Sequence, residues 1–147
     1  MTETIGAIDP SRAQFEAFKA LPRDRPIQML NLIRLRALAA YPEAHPNYGK
    51  AMTGLQAYRA YGRESAEVFA RVGGRQIWAG QPETVVTGPA DERWDLAFIA
   101  EYPGAAAFLA MVTDPAYREH GKHRTAAVAD SRLIRLAPLE PGPGFGE

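Results

Sequence analysis

The feature that most constrains the fold is the run of nine residues from Ile27 to Leu35, in which apolar side chains occupy both odd and even positions. The run is too short and too apolar for a surface helix, so it predicts a β-strand. Successive side chains of a strand point to opposite faces of its sheet, which places Met29 and Ile33 on one face and Leu30 and Leu32 on the other. Both faces of this sheet therefore need cover.

Patterns after this strand first predict a long helix. Thr53 to Gln56 has the form of a capping box, and Gly73-Gly74 supplies a left-handed helix stop. Apolar residues between them recur at steps of three and four and predict one buried stripe, formed by Leu55, Tyr58, Gly62, Ala66, Phe69 and Val72.

The remaining patterns complete two strand–helix–strand units. A strand or bent pair of strands over residues 75–86 and a strand over residues 93–102 predict a hairpin. A short helix from residue 103, a longer helix that begins at Asp114-Pro115, and a strand over residues 131–137 follow. This order is that of the ferredoxin-like split βαβ (βαββαβ), an α+β fold with an antiparallel sheet.

Three parts of the chain differ in composition, and we predict one folded domain at residues 26–138. Residues 1–25 precede it as a helical extension, in which Asp9 and Pro10 are predicted to start a short amphipathic helix. Residues 139–147 are rich in Pro and Gly and are predicted to be disordered or to lie on a neighbouring molecule. A length of 147 residues is sufficient for one core.

Composition excludes several classes of function. The chain has no cysteine, which rules out disulfides and thiolate metal sites. Lys plus Arg equals Asp plus Glu at 17 each, so no positive excess favours a nucleic-acid partner. The first ten residues lack a secretion signal and no apolar run reaches about 18 residues, so we predict a cytoplasmic protein without a membrane partner. Neither a phosphate-binding loop nor a dinucleotide-binding motif occurs, and no cofactor is predicted.

The second face of the sheet predicts a partner. The two crossover helices of this fold lie on one face, yet the strand over residues 93–102 also has apolar side chains on both faces, with Leu96 and Phe98 against Ala97 and Ile99. A second copy of the chain covers the other face most economically, so we predict a homodimer. The alternative is that the N-terminal helix or the C-terminal tail folds back over this face.

The C-terminal half resembles a known family. The stretch Ala107 to Tyr117, the segment His123 to Ala127 and the segment Asp130 to Ile134 are similar to the family catalogued as domain of unknown function 1330. Gly73-Gly74 after the long helix fits the same pattern. The resemblance extends over Pro26 to Pro138 and implies the dimeric α+β-barrel architecture. It implies no reaction, so no catalytic residue is carried over from it.

Arg124 is the first candidate for a ligand site. A helical wheel places it in the middle of a core-facing stripe with Tyr117, and a buried guanidinium needs an anionic partner. That partner is predicted to be Glu101 or Asp95, or else a bound anion. Asn31 is the second polar candidate, because it interrupts the apolar row of the first strand and its amide needs partners in the interior.

Histidines and aromatic residues complete the set of candidates. His120 and His123 are three apart on one helix, but no third ligand is evident and no metal is predicted. We predict that His120 is hydrogen-bonded inside, that His123 is solvated, and that His45 lies on the surface. His45 falls in a connection over residues 39–52 that is too dense in helix breakers for regular structure and is a candidate lid. The aromatic candidates for a pocket between the long helix and the sheet are Tyr58, Tyr61 and Trp78.

Three functions remain open at this point. The first is a module that binds a small carboxylated or phenolic molecule between sheet and helices, with Arg124 and Asn31 as polar anchors. The second, by analogy of fold, is a cofactor-independent oxygenase or isomerase in which a His or Tyr moves a proton. The third is a purely structural dimer with a filled core. A void of about 300 Å³ or more that is lined by His120, His123 or Arg124 would favour the first two.

Overall fold

The computed structural model describes residues 3–147 and contains the predicted elements in the predicted order. The predicted N-terminal helix precedes the first strand, and the predicted short helix lies between the third strand and the last helix. The elements are α1 (Arg12–Ala20), β1 (Ile27–Leu35), α2 (Gly54–Arg71), β2 (Arg75–Gly80), β3 (Leu96–Tyr102), α3 (Ala105–Val112), α4 (Pro115–Ala127) and β4 (Val128–Leu136).

The four strands form one antiparallel sheet in the order β2-β3-β1-β4. In the centre of the sheet, Met29 on β1 lies opposite Ala100 on β3 and opposite Arg135 on β4. The crossover helices α2 and α4 each join two strands that follow one another in the chain but are not neighbours in the sheet. This is the ferredoxin-like arrangement, so the predicted fold class is confirmed.

Local hydrogen bonds explain where the helices begin. The Thr53 hydroxyl accepts from the Gln56 amide at 3.1 Å and the Gln56 side chain accepts from the Thr53 amide at 2.9 Å, which confirms the predicted capping box. Asp114 caps α4 as predicted, with Pro115 at its first position. The prediction for α1 is wrong by two residues, because Ser11 forms a capping box there and Asp9 lies outside the helix.

All four helices pack on one face of the sheet, which we call the inner face. One cluster of buried side chains on this face is centred on Ile27, Met29 and Tyr102, and the other on Ile33 and Val128. The first cluster takes side chains from all four helices, and the second takes them from α2, α4 and the segment between β1 and α2.

The N-terminal helix α1 lies on this same side. Its Phe18 packs edge-on against Phe108 of α3, with ring centroids 5.2 Å apart. The guanidinium of Arg135 lies over the Phe18 ring and donates a hydrogen bond to the Pro22 carbonyl at 2.5 Å. The alternative in which this helix covers the second face of the sheet is therefore wrong.

The buried face of α2 differs from the predicted stripe. Gly62 and Ala66 are exposed, whereas the buried side chains are Ala57, Ala60 and Ser65, together with Val68. Small residues occupy the middle of the true stripe because α4 packs closely against α2 there, and the larger tyrosines lie at its edges. The prediction from apolar spacing therefore assigned the buried face to the wrong side of the helix.

The opposite or outer face of the sheet has an apolar centre. Leu30 lies opposite Ile99 and Ile134 in one row, and Leu32 lies opposite Ala97 in the next. Ile134 is 45% exposed and Trp78, beside Ile99, is 50% exposed. Within residues 3–147, none of the helices combines the length and the apolar character that crossing a membrane requires.

Candidate functional site

The three histidines of the chain lie close together on the side of the helical layer that faces away from the sheet. His45 comes from the loop between β1 and α2, and His120 and His123 come from α4. Glu64 of α2 and Tyr41 of the loop lie between them. We call these five residues the histidine cluster.

The loop over residues 36–53 positions Tyr41 and His45. Its backbone is tied down at the start, because the Ala39 amide donates to the Met52 carbonyl and the Ala40 amide donates to the Ala126 carbonyl, both at 2.8 Å. These bonds turn Tyr41 inward, where it is 7% exposed. The loop has no helix or strand, as predicted, but its first residues are part of the core.

A continuous hydrogen-bonded chain runs through His123. The Tyr41 hydroxyl lies 2.6 Å from Nδ1 of His123, and Nε2 of His123 lies 2.7 Å from Oε2 of Glu64. An ionised carboxylate can only accept a hydrogen bond, so Nε2 carries the proton in the neutral ring. The Nδ1 atom then accepts a hydrogen bond from the Tyr41 hydroxyl. This order, carboxylate to imidazole to hydroxyl, is one that activates the hydroxyl for proton transfer.

The other two histidines flank this chain. His120 Nδ1 lies 3.4 Å from Oε1 of Glu64, so the carboxylate bridges both histidines of α4. His45 stacks on Tyr41 with ring centroids 4.5 Å apart and meets His123 edge-on at 5.4 Å. Burial, followed by the charges of His123 and Lys122, lowers the pKa of His45 below its usual value of 6.5.

A groove of about 380 Å³ opens beside the cluster. The loop itself forms the walls, and Tyr41 lines the groove together with Asn47 and Tyr48. Ala51, also in the wall, has a φ of 53°. That left-handed conformation costs about 1–2 kcal/mol in a residue with a side chain. Strain of this kind is concentrated at functional sites in proteins.

The prediction that Arg124 pairs with Glu101 or Asp95 is wrong. Its guanidinium donates to the Ile8 carbonyl at 2.7 Å and lies 3.6 Å from the Asp9 carboxylate, which belongs to the N-terminal extension. The two acids predicted to pair with it have other partners. Glu101 accepts from Arg75 at 2.6 Å, and Asp95 accepts from the Leu35 amide at 2.7 Å.

The predicted tyrosines form an interior layer close to Arg124. Tyr58 and Tyr61 pack edge-on at 5.3 Å, and the Tyr61 hydroxyl lies 2.5 Å from that of Tyr117. Burial raises the pKa of Tyr58 to about 12, so this ring stays protonated at physiological pH. Asn31 also lies on the inner face, where its amide donates to the Met29 carbonyl at 3.1 Å.

Trp78 does not belong to this layer, so its predicted place between the long helix and the sheet is wrong. It lies opposite Ile99 and lines a groove on the outer face. The register of β2 against β3 shifts between Gln76 and Trp78, and one extra residue in a strand moves every later side chain to the other face. The sequence contains no clear signal of this bulge.

Sequence reasoning found part of the cluster and missed the rest. His120 and His123 were both candidates. The prediction that His123 is solvated is wrong, because this side chain is 7% exposed and hydrogen-bonded on both nitrogens. His45 was predicted to lie on the surface and is instead half-buried against Tyr41. Neither Tyr41 nor Glu64 was considered, because nothing local connects residues so far apart in the chain.

The described residues contain no group suited to a metal ion, and neither groove has the lining that would favour a ligand between sheet and helices. Among residues 3–147, no three His, Asp or Glu side chains surround a point suited to a metal ion. Neither the loop groove nor the outer-face groove is lined by His120, His123 or Arg124. The connection from the loop groove to the cluster is Tyr41, which belongs to both.

Comparison with known families assigns the chain to one of them. The model of the family described as "Domain of unknown function (DUF1330)" matches residues 49–136. The chain belongs to this family. The predicted resemblance is therefore confirmed. No curated protein matches this DUF1330 chain.

Solved structures similar to this DUF1330 protein fall into two groups. The RPA0582 protein of Rhodopseudomonas palustris, described as a protein of unknown function, is 56% identical over 92% of this chain and 99% of its own, with a TM-score of 0.84. Its methylated form is 55% identical over 95% and 99%, with a TM-score of 0.87.

The second group shares only the fold. SnoaB, a cofactor-independent oxygenase from Streptomyces nogalater, is 14% identical over 82% of this chain and 99% of its own, with a TM-score of 0.50. A putative antibiotic biosynthesis monooxygenase from Caulobacter crescentus is 14% identical over 84% and 99%, with a TM-score of 0.51.

Proposed function

We propose that this protein binds a small, weakly acidic organic molecule in the loop groove and exchanges a proton with it through Tyr41. The observation that carries this proposal is the double position of Tyr41, which lines the groove and also ends the hydrogen-bonded chain from Glu64 through His123. A phenol, an enolisable ketone or a carboxylic acid is the class of molecule that such a site suits.

The proton path follows from the hydrogen bonds. When the Tyr41 hydroxyl gives its proton to Nδ1 of His123, the ring becomes an imidazolium that still donates from Nε2 to Glu64. The carboxylate stabilises this positive ring, and the Tyr41 oxygen can then take a proton from a molecule in the groove. The return path delivers the proton to the product.

The scaffold agrees with this chemistry at the level of fold. SnoaB is named as a cofactor-independent oxygenase and has the same architecture, but its 14% identity supports the architecture alone. The proposal therefore depends on the cluster. It moves the ligand from between sheet and helices, where the sequence predicted it, to the loop beyond the helices.

Binding can be tested with thermal denaturation in the presence of 4-hydroxybenzoate, phenol and acetylacetone. A ligand that binds the folded state raises the melting temperature by mass action. We expect at least one of these probes to stabilise the wild type and not Tyr41→Phe. Tyr48→Phe is the matched control, since Tyr48 lines the same groove and is 56% exposed.

Proton transfer can be tested by following hydrogen exchange of acetylacetone with D₂O by NMR. Loss of a positioned acid or base lowers such a rate by about 10²–10⁴-fold. We expect that loss in His123→Gln and in Tyr41→Phe, with Tyr48→Phe close to wild type. Equal rates in Tyr41→Phe and Tyr48→Phe, or no exchange above buffer in the wild type, would contradict the proposal.

We further propose that the chain forms a homodimer through the outer face. Its support is the row of Leu30, Ile99 and Ile134 with the half-exposed Trp78 beside it. Sedimentation at micromolar concentration should give twice the mass of the 16.1 kDa chain. Leu30→Arg should give the single chain, whereas Leu21→Arg, a change at a site 49% exposed after α1, should leave the dimer intact. A wild-type monomer would disprove the dimer.

A further inference from the structure

The outer face contains a second groove of about 300 Å³. It lies where β1 and β3 meet the loop after β2, and both tryptophans of the chain line it. Trp78 and Trp94 form its aromatic wall, with Leu32, Pro82 and Ala97 beside them. An aromatic groove with a proline in its wall is the surface that extended, proline-rich segments bind.

The C-terminal segment of this same chain has the matching composition. Residues 138–147 contain three prolines, two of them spaced Pro138-x-x-Pro141, the spacing of a polyproline II helix that presents one face. Leu139 is 84% exposed, and Phe145 is completely exposed. Two large apolar side chains in full contact with water are a reason for this segment to bind elsewhere.

Charge also matches the two surfaces. The segment has two acidic residues, Glu140 and Glu147, and no basic ones. The guanidinium of Arg132 lies over the Trp94 ring at 5.2 Å, and Arg93 lines the groove, with side chains 46% and 59% exposed. Glu83 is the one acid in the lining and opposes this match. Each guanidinium also pairs with a carboxylate of its own chain at 2.9 Å, Arg132 with Asp130 and Arg93 with Asp95, and keeps an accessible side at the edge of the groove.

The direction of β4 leads the segment away from the groove of its own chain. β4 ends at Leu136, opposite Gln28, whereas the groove begins at Leu32, about 14 Å further along β1 at 3.4 Å per residue. The nine residues from Leu136 to Phe145 span about 28 Å in a polyproline II helix. That length is sufficient to reach a partner whose outer face lies on this one, whereas to enter its own groove the segment would have to reverse its direction after β4. In the single chain the segment turns on itself, with the Gly142 amide donating to the Glu147 carbonyl at 2.9 Å.

We propose that residues 138–147 of one copy dock in the tryptophan-lined groove of the second copy, with Phe145 between Trp78 and Trp94. This inference rests on the homodimer proposed above. The segment thereby ties the two copies together at the edge of their shared interface.

Tryptophan fluorescence tests the docking directly, because both tryptophans lie in the groove. In Phe145→Ala, kept at a concentration where sedimentation gives a dimer, we expect the emission to shift to longer wavelength. Leu21→Ala, the matched control at an exposed apolar site, should keep the wild-type emission. A synthetic peptide of residues 138–147 should reverse the shift in a chain truncated after Ala137.

Mixing copies decides which chain supplies the segment. A Trp78→Phe/Trp94→Phe chain emits no tryptophan fluorescence but carries an intact segment. Mixed with Phe145→Ala, it should restore the short-wavelength emission. An unchanged emission after mixing, or a Phe145→Ala dimer with wild-type emission, overturns the docking and leaves the homodimer standing. A wild-type monomer in sedimentation overturns the homodimer itself and the docking with it.

Discussion

The inner and outer faces of the sheet contrast in their cover although both are apolar. On the inner face Ile33 is completely buried and Met29 is 3% exposed, because four helices pack over them. On the outer face, Ile134 and Trp78 of the single chain are about half exposed. The comparison teaches that an apolar strand pattern states a need for cover without stating whether the cover comes from the same chain or from another.

The largest expected effect separates the two faces with one substitution at each. Ile33→Ala should lower the free energy of unfolding by about 3 kcal/mol, because a buried isoleucine leaves a cavity. Ile134→Ala removes the same atoms from the outer face. Its cost should be below about 1 kcal/mol in dilute protein and should grow with protein concentration, as the interface becomes populated. Urea denaturation at several concentrations measures both.

The contrast between the two faces would be contradicted if Ile33→Ala and Ile134→Ala lowered the free energy of unfolding equally. Equal losses that do not depend on protein concentration would mean that the outer face is covered within the single chain.

The prediction of intermediate size concerns the contact between the N-terminal extension and Arg124 on the helical side of the sheet. Arg124→Met should cost about 2 kcal/mol, the range of a hydrogen bond from a charged donor, because the Ile8 carbonyl loses its partner. The cost is smaller than that of a buried ion pair, since Asp9 has a 72% exposed side chain and remains hydrated. Asp9→Asn, the control, should cost less than about 1 kcal/mol. A larger loss in Asp9→Asn than in Arg124→Met would contradict this division.

The smallest expected effect concerns pH and the loop over the helices. The pKa of His45 is lowered in the folded state, so the unfolded chain binds protons more readily below pH 6.5. Its contribution is fully favourable above pH 6.5 and is lost as the pH falls from there toward the folded pKa. His45→Gln should therefore show a flatter decline of stability over that window, measured by urea denaturation. A decline as steep as that of the wild type would exclude His45 as its source.

The sequence was sufficient where the decisive interactions are local. The capping box from Thr53 to Gln56, the cap at Asp114 and the left-handed Gly73, with a φ of 86°, are each formed within a few residues. Strand β1 has the predicted limits, because its apolar pattern has no helical alternative. From these elements the split βαβ order followed.

The sequence was insufficient where distant parts meet. The rotation of α2 depends on how closely α4 approaches it, and apolar spacing alone placed Gly62 and Ala66 on the wrong side. The face of Trp78 depends on a register shift in β2 that only its pairing with β3 reveals.

The sequence by itself therefore determined the elements, their order and the ferredoxin-like fold. Tertiary structure alone decided the candidate site, because Tyr41 and His123 are 82 positions apart in the chain and meet only when the loop is anchored on α4. Periodicity describes which side of an element is apolar. A hydrogen-bonded chain between a loop and two helices depends instead on the distances between elements, and packing sets those distances.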